Sequence, residues 1–486
     1  MPSTPDGSRR PAPAELLADP NPGLLRGSLH LVYDLSWWVA GLFGFPWLLW
    51  RMARDRAFRA MVVERMGRGL ERLPAPDRPR VLVHGVSVGE AKAALPIVRA
   101  IERAHPELEV VISTTTNTGL EVARGLFPRN RIVRFPVDPT FVVRRFLDRV
   151  APSLVLLVEL EIWPNFLRLC NRGGIPVAVV NGRITEMSHG QYLLFRDVLP
   201  QFNRISLFCV QLEEYANRFR RLHVEEERLL VTGNVKVDGL AIGRVDAGEE
   251  LTRLIGGRDG APVVVAGSTH EPEELLLAEA WRTHAPQARL VLVPRHPHRA
   301  ESLVETLAAR GFEARRLSDL RRTHDAVRSD EVAPGCVVIV DSIGELERIY
   351  GLADLVFVGG SLIEHGGHNM LEPAAQGRAT LFGPHVTNFA QEAAILRAEG
   401  GCRQLAGVAE LGPVMAELLR DDAERARMGA AAVRAVDSQR GATAKTLAAL
   451  DALSLARIVT SARRSREAGG PRGTVPPALV DAPERG

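Results

Sequence analysis

Short apolar runs alternate with helical patterns twice along this chain, and that rhythm constrains its fold more than any other feature. The first series lies at residues 80–84, 109–113, 154–158, 177–180, 207–210 and 229–232. Residues 241–260 then form a stretch rich in glycine and charge. The rhythm restarts at 263–266, 289–293, 337–340, 355–358 and 380–382. Apolar runs of this length with helices between them mark a parallel sheet covered on both faces. The expected class is α/β, with two doubly wound domains at 52–240 and 261–456 and a linker at 241–260. A chain of 486 residues also exceeds what one core usually holds.

In such sheets, ligands gather where strands give way to helices, and the polar motifs of this chain fall there. After the run 355–358 comes Gly359-Gly-Ser-Leu-Ile-Glu-His-Gly-Gly-His-Asn-Met-Leu-Glu-Pro373. A strand, a loop with two glycine pairs and a helix N-terminus make an anion-binding device. Gly366 and Gly367 let a phosphate approach the backbone. His368 and Asn369 add donors, and Glu372 is placed to accept from a ribose. An ordinary strand-to-helix turn is the plainer account. Three more loops of the second half follow strands in the same way. They are Ala266-Gly-Ser-Thr-His-Glu271 with Ser268, Arg295-His296, and Asp341-Ser-Ile-Gly-Glu345. Together these loops offer amides, hydroxyls, imidazoles, a guanidinium and carboxylates, an inventory that suits a nucleotide. No GxxxxGK[ST] motif is present, which excludes a P-loop NTPase. The Asp-x-Asp pairing of many metal-dependent sugar transferases is also missing, so a metal-free mechanism is expected.

The first half carries the groups suited to proton transfer. In His84-Gly-Val-Ser-Val-Gly-Glu90, Ser87 and Gly89 open a loop and Glu90 begins a helix. Glu90 is either a helix cap or a general base. Glu159 and Glu161 follow the run 154–158, and Arg183 follows 177–180. Lys236, in Gly233-Asn-Val-Lys236, is placed to meet a phosphate or a developing negative charge.

Bulk properties narrow the field further. A net charge of +3 gives no electrostatic case for nucleic-acid binding. The four cysteines are scattered without a CxxC pair, as expected of buried thiols in a reducing compartment. The 13 histidines are scattered and show no HExxH-type spacing, so no metal site is expected.

The ends differ from the middle. Residues 1–27 and 457–486 read as disordered tails. Residues 31–50 are apolar and hold four of the six tryptophans, Trp37, Trp38, Trp47 and Trp50. As a helix this segment is long enough for roughly 30 Å of hydrocarbon. Arg51, Arg54, Arg56 and Arg59 follow at once, which would keep the rest of the chain cytoplasmic. An uncleaved membrane anchor at 28–51 is therefore expected. Asp34 and Pro46 interrupt it, so a helix lying in the membrane interface and a buried soluble helix stay open.

Six motifs occur in a fixed order: 84–90, Glu161-Ile-Trp-Pro-Asn165, 233–236, 266–271, Val293-Pro-Arg-His-Pro297 and 359–373. Over residues 28–450 the chain resembles the 3-deoxy-D-manno-octulosonic acid (Kdo) transferases of lipopolysaccharide synthesis, glycosyltransferase family 30. The resemblance implies a GT-B fold, two Rossmann-like domains facing a cleft, with an N-terminal membrane-anchor helix. It implies CMP-Kdo as donor on the C-terminal half and a lipid A precursor, lipid IVA, as acceptor on the N-terminal half. No cofactor and no metal are implied, and the inner membrane is the implied location. Kdo would pass with inversion to the 6′-hydroxyl of the acceptor. By motif, Glu90 matches the general base, and Glu161 and Lys236 the pair that assists the transition state. Pro294, Arg295, His296, Ile343, Gly344, Glu345 and Asn369, Met370, Leu371, Glu372 match CMP contacts. Ser268, Gly366, Gly367 and His368 join the donor side; Ser87, Gly89 and Arg183 belong to the acceptor side. Gly85, Glu364-His365 and Met370 depart from the usual pattern. A GT-B protein using a UDP-sugar and a non-catalytic binder of lipid A precursor remain as alternatives.

Overall fold

The computed structural model describes residues 24–68, 70, 73, 78–195, 201–256, 260–326 and 335–455. Residues 1–23 of the tail expected at 1–27, and the tail expected at 457–486, lie outside these residues. The chain divides into two compact units, one of residues 1–239 with 440–486 and one of residues 240–439.

The first unit is built on a seven-stranded parallel sheet. Its strands are β1 (Arg80–His84), β2 (Glu109–Thr114), β3 (Arg131–Arg134), β4 (Leu154–Val158), β5 (Val177–Gly182), β6 (Leu207–Val210) and β7 (Leu229–Val231), in the spatial order β3-β2-β1-β4-β5-β6-β7. Alternate residues of each strand feed opposite cores, as a period of two requires. Leu82, Val155, Leu157 and Val179 enter one cluster. Val81, Val83, Leu156 and Val180 enter the other. The second unit repeats the plan with β8 (Val263–Thr269), β9 (Arg289–Pro294), β10 (Glu313–Arg316), β11 (Cys336–Ile339), β12 (Leu355–Val358), β13 (Ala379–Phe382) and β14 (Cys402–Gln404). Its order is β10-β11-β9-β8-β12-β13-β14. Chain order reverses between β1 and β4 and between β8 and β12. These are the crevices where doubly wound sheets hold ligands.

The sequence rhythm missed β3, β10 and β14. All three lie at sheet edges. An edge strand is covered less and needs no apolar run, and Glu-Ala-Arg-Arg in β10 has none. The expected linker is also part of a folded unit. Gly243 N donates to Ala375 O (2.9 Å), and the helix Gly248–Leu251 lies within residues 241–260. Residues 440–455 return to the first unit rather than staying with the second. Asp238 accepts from the backbone N–H groups of Gly441 (2.8 Å) and Thr443 (2.5 Å). The cysteines are free thiols, three buried and Cys402 half-buried.

The N-terminal segment forms one helix, Leu24–Arg54, which starts inside the stretch expected as tail. No described helix is long and apolar enough to cross a membrane, so the spanning anchor expected at 28–51 is not met. The interruptions are polar residues engaged with the first unit. Asp34 accepts from Thr140 Oγ1 (2.6 Å) and Asn165 Nδ2 (2.7 Å). Tyr33 Oη donates to Asp138 (3.1 Å), and Arg204 Nη2 lies 3.0 Å from His30 Nε2. Burial pushes the Asp138 carboxyl up to about 7, against the pull of the Asn165 and Phe166 amides. On its other faces the helix leaves Leu31 (71%), Leu35 (60%), Trp38 (64%) and Phe43 (81%) exposed. Trp47 and Trp50 are exposed as well.

Candidate active site

In the first unit, the β1–β4 crevice collects three carboxylates and one ammonium. Ser87 caps the helix Val88–Ala104 and accepts from Glu90 N (3.3 Å). Glu90 returns the contact, accepting from Val86 N (2.5 Å) and Ser87 Oγ (2.8 Å). This reciprocal capping box satisfies orphan donors of the helix start. Burial nonetheless raises the Glu90 pKa, opposed by these hydrogen bonds and reinforced by the Glu159 charge. Glu90 is thus both a cap and a carboxylate tuned upward, the direction a general base needs.

Glu159 and Glu161 leave the end of β4 in different directions. Glu159 has a left-handed backbone (φ 65°), and its Oε1 accepts from Lys236 Nζ at 2.6 Å. Glu161 accepts from the Trp163 indole (3.1 Å). The sequence reading grouped Lys236 with Glu161; the ion pair is with Glu159. A left-handed residue breaks the strand's alternation, so two carboxylates that are neighbours in sequence find separate partners. Burial pushes Glu161 up to about 7, aided by the charge of Glu90. A Cβ placed on Gly89 would lie 4.0 Å from Lys236 Nζ, so the ammonium sits beside the first turn of the Glu90 helix. Asn181 holds the lysine's loop, since its Oδ1 accepts from Val235 N (3.0 Å). A cavity of about 330 Å³ is lined by Glu90, Glu159, Glu161, Arg183, Ser188 and Tyr192, together with Leu160 and Thr185. His84, by contrast, is a fully buried core residue stacked on Phe135, and burial lowers its pKa to about 3.

In the second unit, the four polar loops follow β11, β9, β8 and β12, which are neighbours in the sheet. Gly366 and Gly367 have φ of 94° and 78°, values that favour glycine. A Cβ on Gly366 would lie 2.4 Å from the Asn388 side chain. Asn369 accepts from Leu371 N (3.1 Å) and donates to Glu372 Oε1 (3.1 Å), which fixes the helix start. Ser268 is left-handed (φ 57°), and Arg295 N donates to Thr269 O (2.9 Å). Glu345 accepts from Arg321 (2.6 Å); burial raises its pKa, but Arg321 and Ser342 outweigh this and hold it below the usual range. Gly344 has φ of 91°, and Ile343 and His296 are exposed. Pro294, Met370 and Leu371 are buried.

Sequence reasoning missed the anchoring role of two carboxylates. Glu159 was noticed without its lysine. Glu273, fully buried, was not noticed at all. Its two oxygens accept from the backbone N–H groups of His270 (3.0 Å), Gly360 (2.6 Å), Ser361 (3.0 Å) and Leu362 (3.0 Å). Its spacing from His270 at the start of a helix is that of a capping box, the one local signal available. Glu273→Gln is expected to lower stability by about 3 kcal/mol, because an amide cannot serve all four donors. Urea unfolding measures this, and a loss under about 1 kcal/mol would show that the two loops hold without the carboxylate.

Comparison with known proteins accords with these two units. A family model described as 3-deoxy-D-manno-octulosonic-acid transferase (kdotransferase) matches residues 61–239. The 3-deoxy-D-manno-octulosonic acid transferase of Bordetella pertussis is 32% identical over 443 residues, covering 86% of this chain and 98% of that protein. The Haemophilus influenzae protein of the same name is 31% identical over 402 residues, covering 80% and 90%. A solved glycosyltransferase from Rickettsia africae superposes with a TM-score of 0.54 over 77% of this chain and 98% of its own; at 9% identity it speaks for the GT-B fold alone. With two doubly wound units and relatives that align over nearly their whole length, the chain belongs to the 3-deoxy-D-manno-octulosonic acid transferase family.

Proposed function

We propose that this enzyme moves Kdo from CMP-Kdo to the 6′-hydroxyl of a lipid A precursor, with inversion and without a metal. Family membership supports the Kdo transfer. The observation that carries the residue roles is the constellation of Glu90, Glu159, Glu161 and Lys236 around one cavity. Glu90, tuned upward by burial, takes the proton of the attacking hydroxyl. That oxygen bonds to the anomeric carbon of Kdo while the bond to CMP breaks. Lys236 offsets charge that develops as the bonds change. The four neighbouring loops of the second unit bind the nucleotide. Glycine amides serve its phosphate, Arg295 its charge, and Glu345 or Glu372 its hydroxyls.

The exposed tryptophans and leucines of the helix Leu24–Arg54, followed by Arg56 and Arg59, suit a helix lying in the interface of an anionic membrane. We place the enzyme on the inner membrane by this helix, where confinement raises encounters with a lipid acceptor.

The test is incubation with CMP-Kdo, generated in situ, and a tetra-acylated lipid A precursor in the presence of a chelator. Mass spectrometry is expected to find the lipid heavier by one or more Kdo units. An unchanged lipid beside intact CMP-Kdo and folded enzyme would refute the reading. A mass gain from a UDP-sugar instead would support the alternative donor.

A further inference from the structure

The side chains of His270, His365 and His368 converge although His270 lies 98 residues from His368. His270 follows β8, and the other two lie in the loop after the adjacent strand β12. One ring nitrogen from each lies within 4.8 Å of the other two. His270 Nε2 and His368 Nε2 face each other at 2.8 Å, with their rings within 7° of parallel. Two neutral imidazoles hold that contact only when one donates. A cation between them would satisfy both lone pairs at once.

We propose that His270, His365 and His368 form a binding site for a divalent transition-metal ion of the zinc class. The chemistry of the donor set selects the ion. Three imidazoles and no carboxylate favour zinc, nickel, cobalt or copper over magnesium. The dimensions are close. Zinc–nitrogen bonds of about 2.0–2.1 Å put tetrahedral ligand atoms about 3.4 Å apart. The Nε2 pair must open by about half an ångström, and His365, which is exposed, turns inward to complete the set. A fourth position is left for water or for His296, whose ring centroid lies 5.9 Å from that of His270.

The frame is rigid on both sides. Glu273 holds His270 N and the amides at Gly360, Ser361 and Leu362. A Cβ on Gly360 would press against His368 at 3.0 Å and His365 at 3.3 Å, so both rings rest on that glycine. Arg295 and Arg299 oppose a cation here, but Arg299 is paired with Glu274 (2.9 Å) and Glu271 (3.5 Å).

This binding is independent of the donor reading. Its consequence for transfer rests on that reading: an ion that takes His368 competes with the donor's phosphate and slows the reaction.

The experiment uses the full chain without a polyhistidine tag, stripped with chelator and dialysed. Titration calorimetry with Zn²⁺ is expected to show one site of micromolar affinity or better. Co²⁺ is expected to give visible absorption bands that saturate at one equivalent and vanish on adding Zn²⁺. His365→Ala and His270→Gln each weaken Zn²⁺ at least tenfold with unchanged circular dichroism, whereas His223→Ala has no effect. Equal Zn²⁺ affinity in the wild type and a His270→Gln/His365→Ala double variant would overturn the site. So would the absence of any one-equivalent binding. Transfer assays form a separate arm, so a failed donor reading would leave the metal titration intact.

Discussion

Glu90→Gln is expected to lower kcat for Kdo transfer by about a thousandfold, the scale of losing a positioned general base. The substitution separates the two jobs of this side chain. Glutamine keeps an oxygen within reach of Val86 N and Ser87 Oγ, so much of the capping box survives. Stability is therefore expected to fall by less than about 1 kcal/mol. KM for CMP-Kdo is expected to change little. The pH profile supplies a second readout. Glu90 must be ionised to accept a proton, so wild-type kcat/KM falls as pH drops through its raised pKa. In the variant, the residual rate should lack that limb. Retention of more than a tenth of wild-type kcat would make Glu90 a helix cap and no more.

Lys236→Met is the second large effect, with kcat expected to fall about a hundredfold, as for one lost electrostatic stabiliser. Its structural cost is expected to be small. The ion pair with Glu159 is partly solvated, with the lysine side chain 37% exposed, and such pairs contribute about 0–1 kcal/mol. The chemistry suffers more than the fold because the change leaves Glu90, Glu159 and Glu161 facing one cavity without their nearby ammonium. Like charges disfavour ionisation, so the acidic limb of the rate profile should move to higher pH. A cycle with Glu159→Gln tests the coupling. If Glu159 acts by holding the lysine, the double variant is no slower than Lys236→Met alone. Fully additive losses would show that Glu159 has a separate role.

Much of the candidate site was legible because its residues follow apolar runs directly. In Val155-Leu-Leu-Val158 and Glu159 to Glu161, the strand and its cavity-lining loop are adjacent in sequence, so position follows from local pattern. The same holds for Ser268 after β8, Arg295 after β9 and the glycine pairs after β12. Met370 and Leu371 show the limit of motif transfer. A motif places residues along the chain, and packing decides whether a side chain faces ligand or core; both of these are buried.

The α/β class, the doubling of the sheet, the strand-end location of the polar loops and the family were all legible in the chain of residues. Each of these depends on periodicity or on motifs spanning a few consecutive residues. The three-dimensional fold settled that Lys236 pairs with Glu159, because a left-handed turn redirects that carboxylate. It also decided that Glu273 ties two loops about 90 residues apart in sequence and that His270 converges with His365 and His368. The N-terminal helix belongs to the same class, because docking of Asp34 and Tyr33 on the first unit engages polar groups that a spanning helix would have to bury in lipid. Partners distant in sequence are chosen by strand order and backbone handedness, and neither is written in the local pattern of residues.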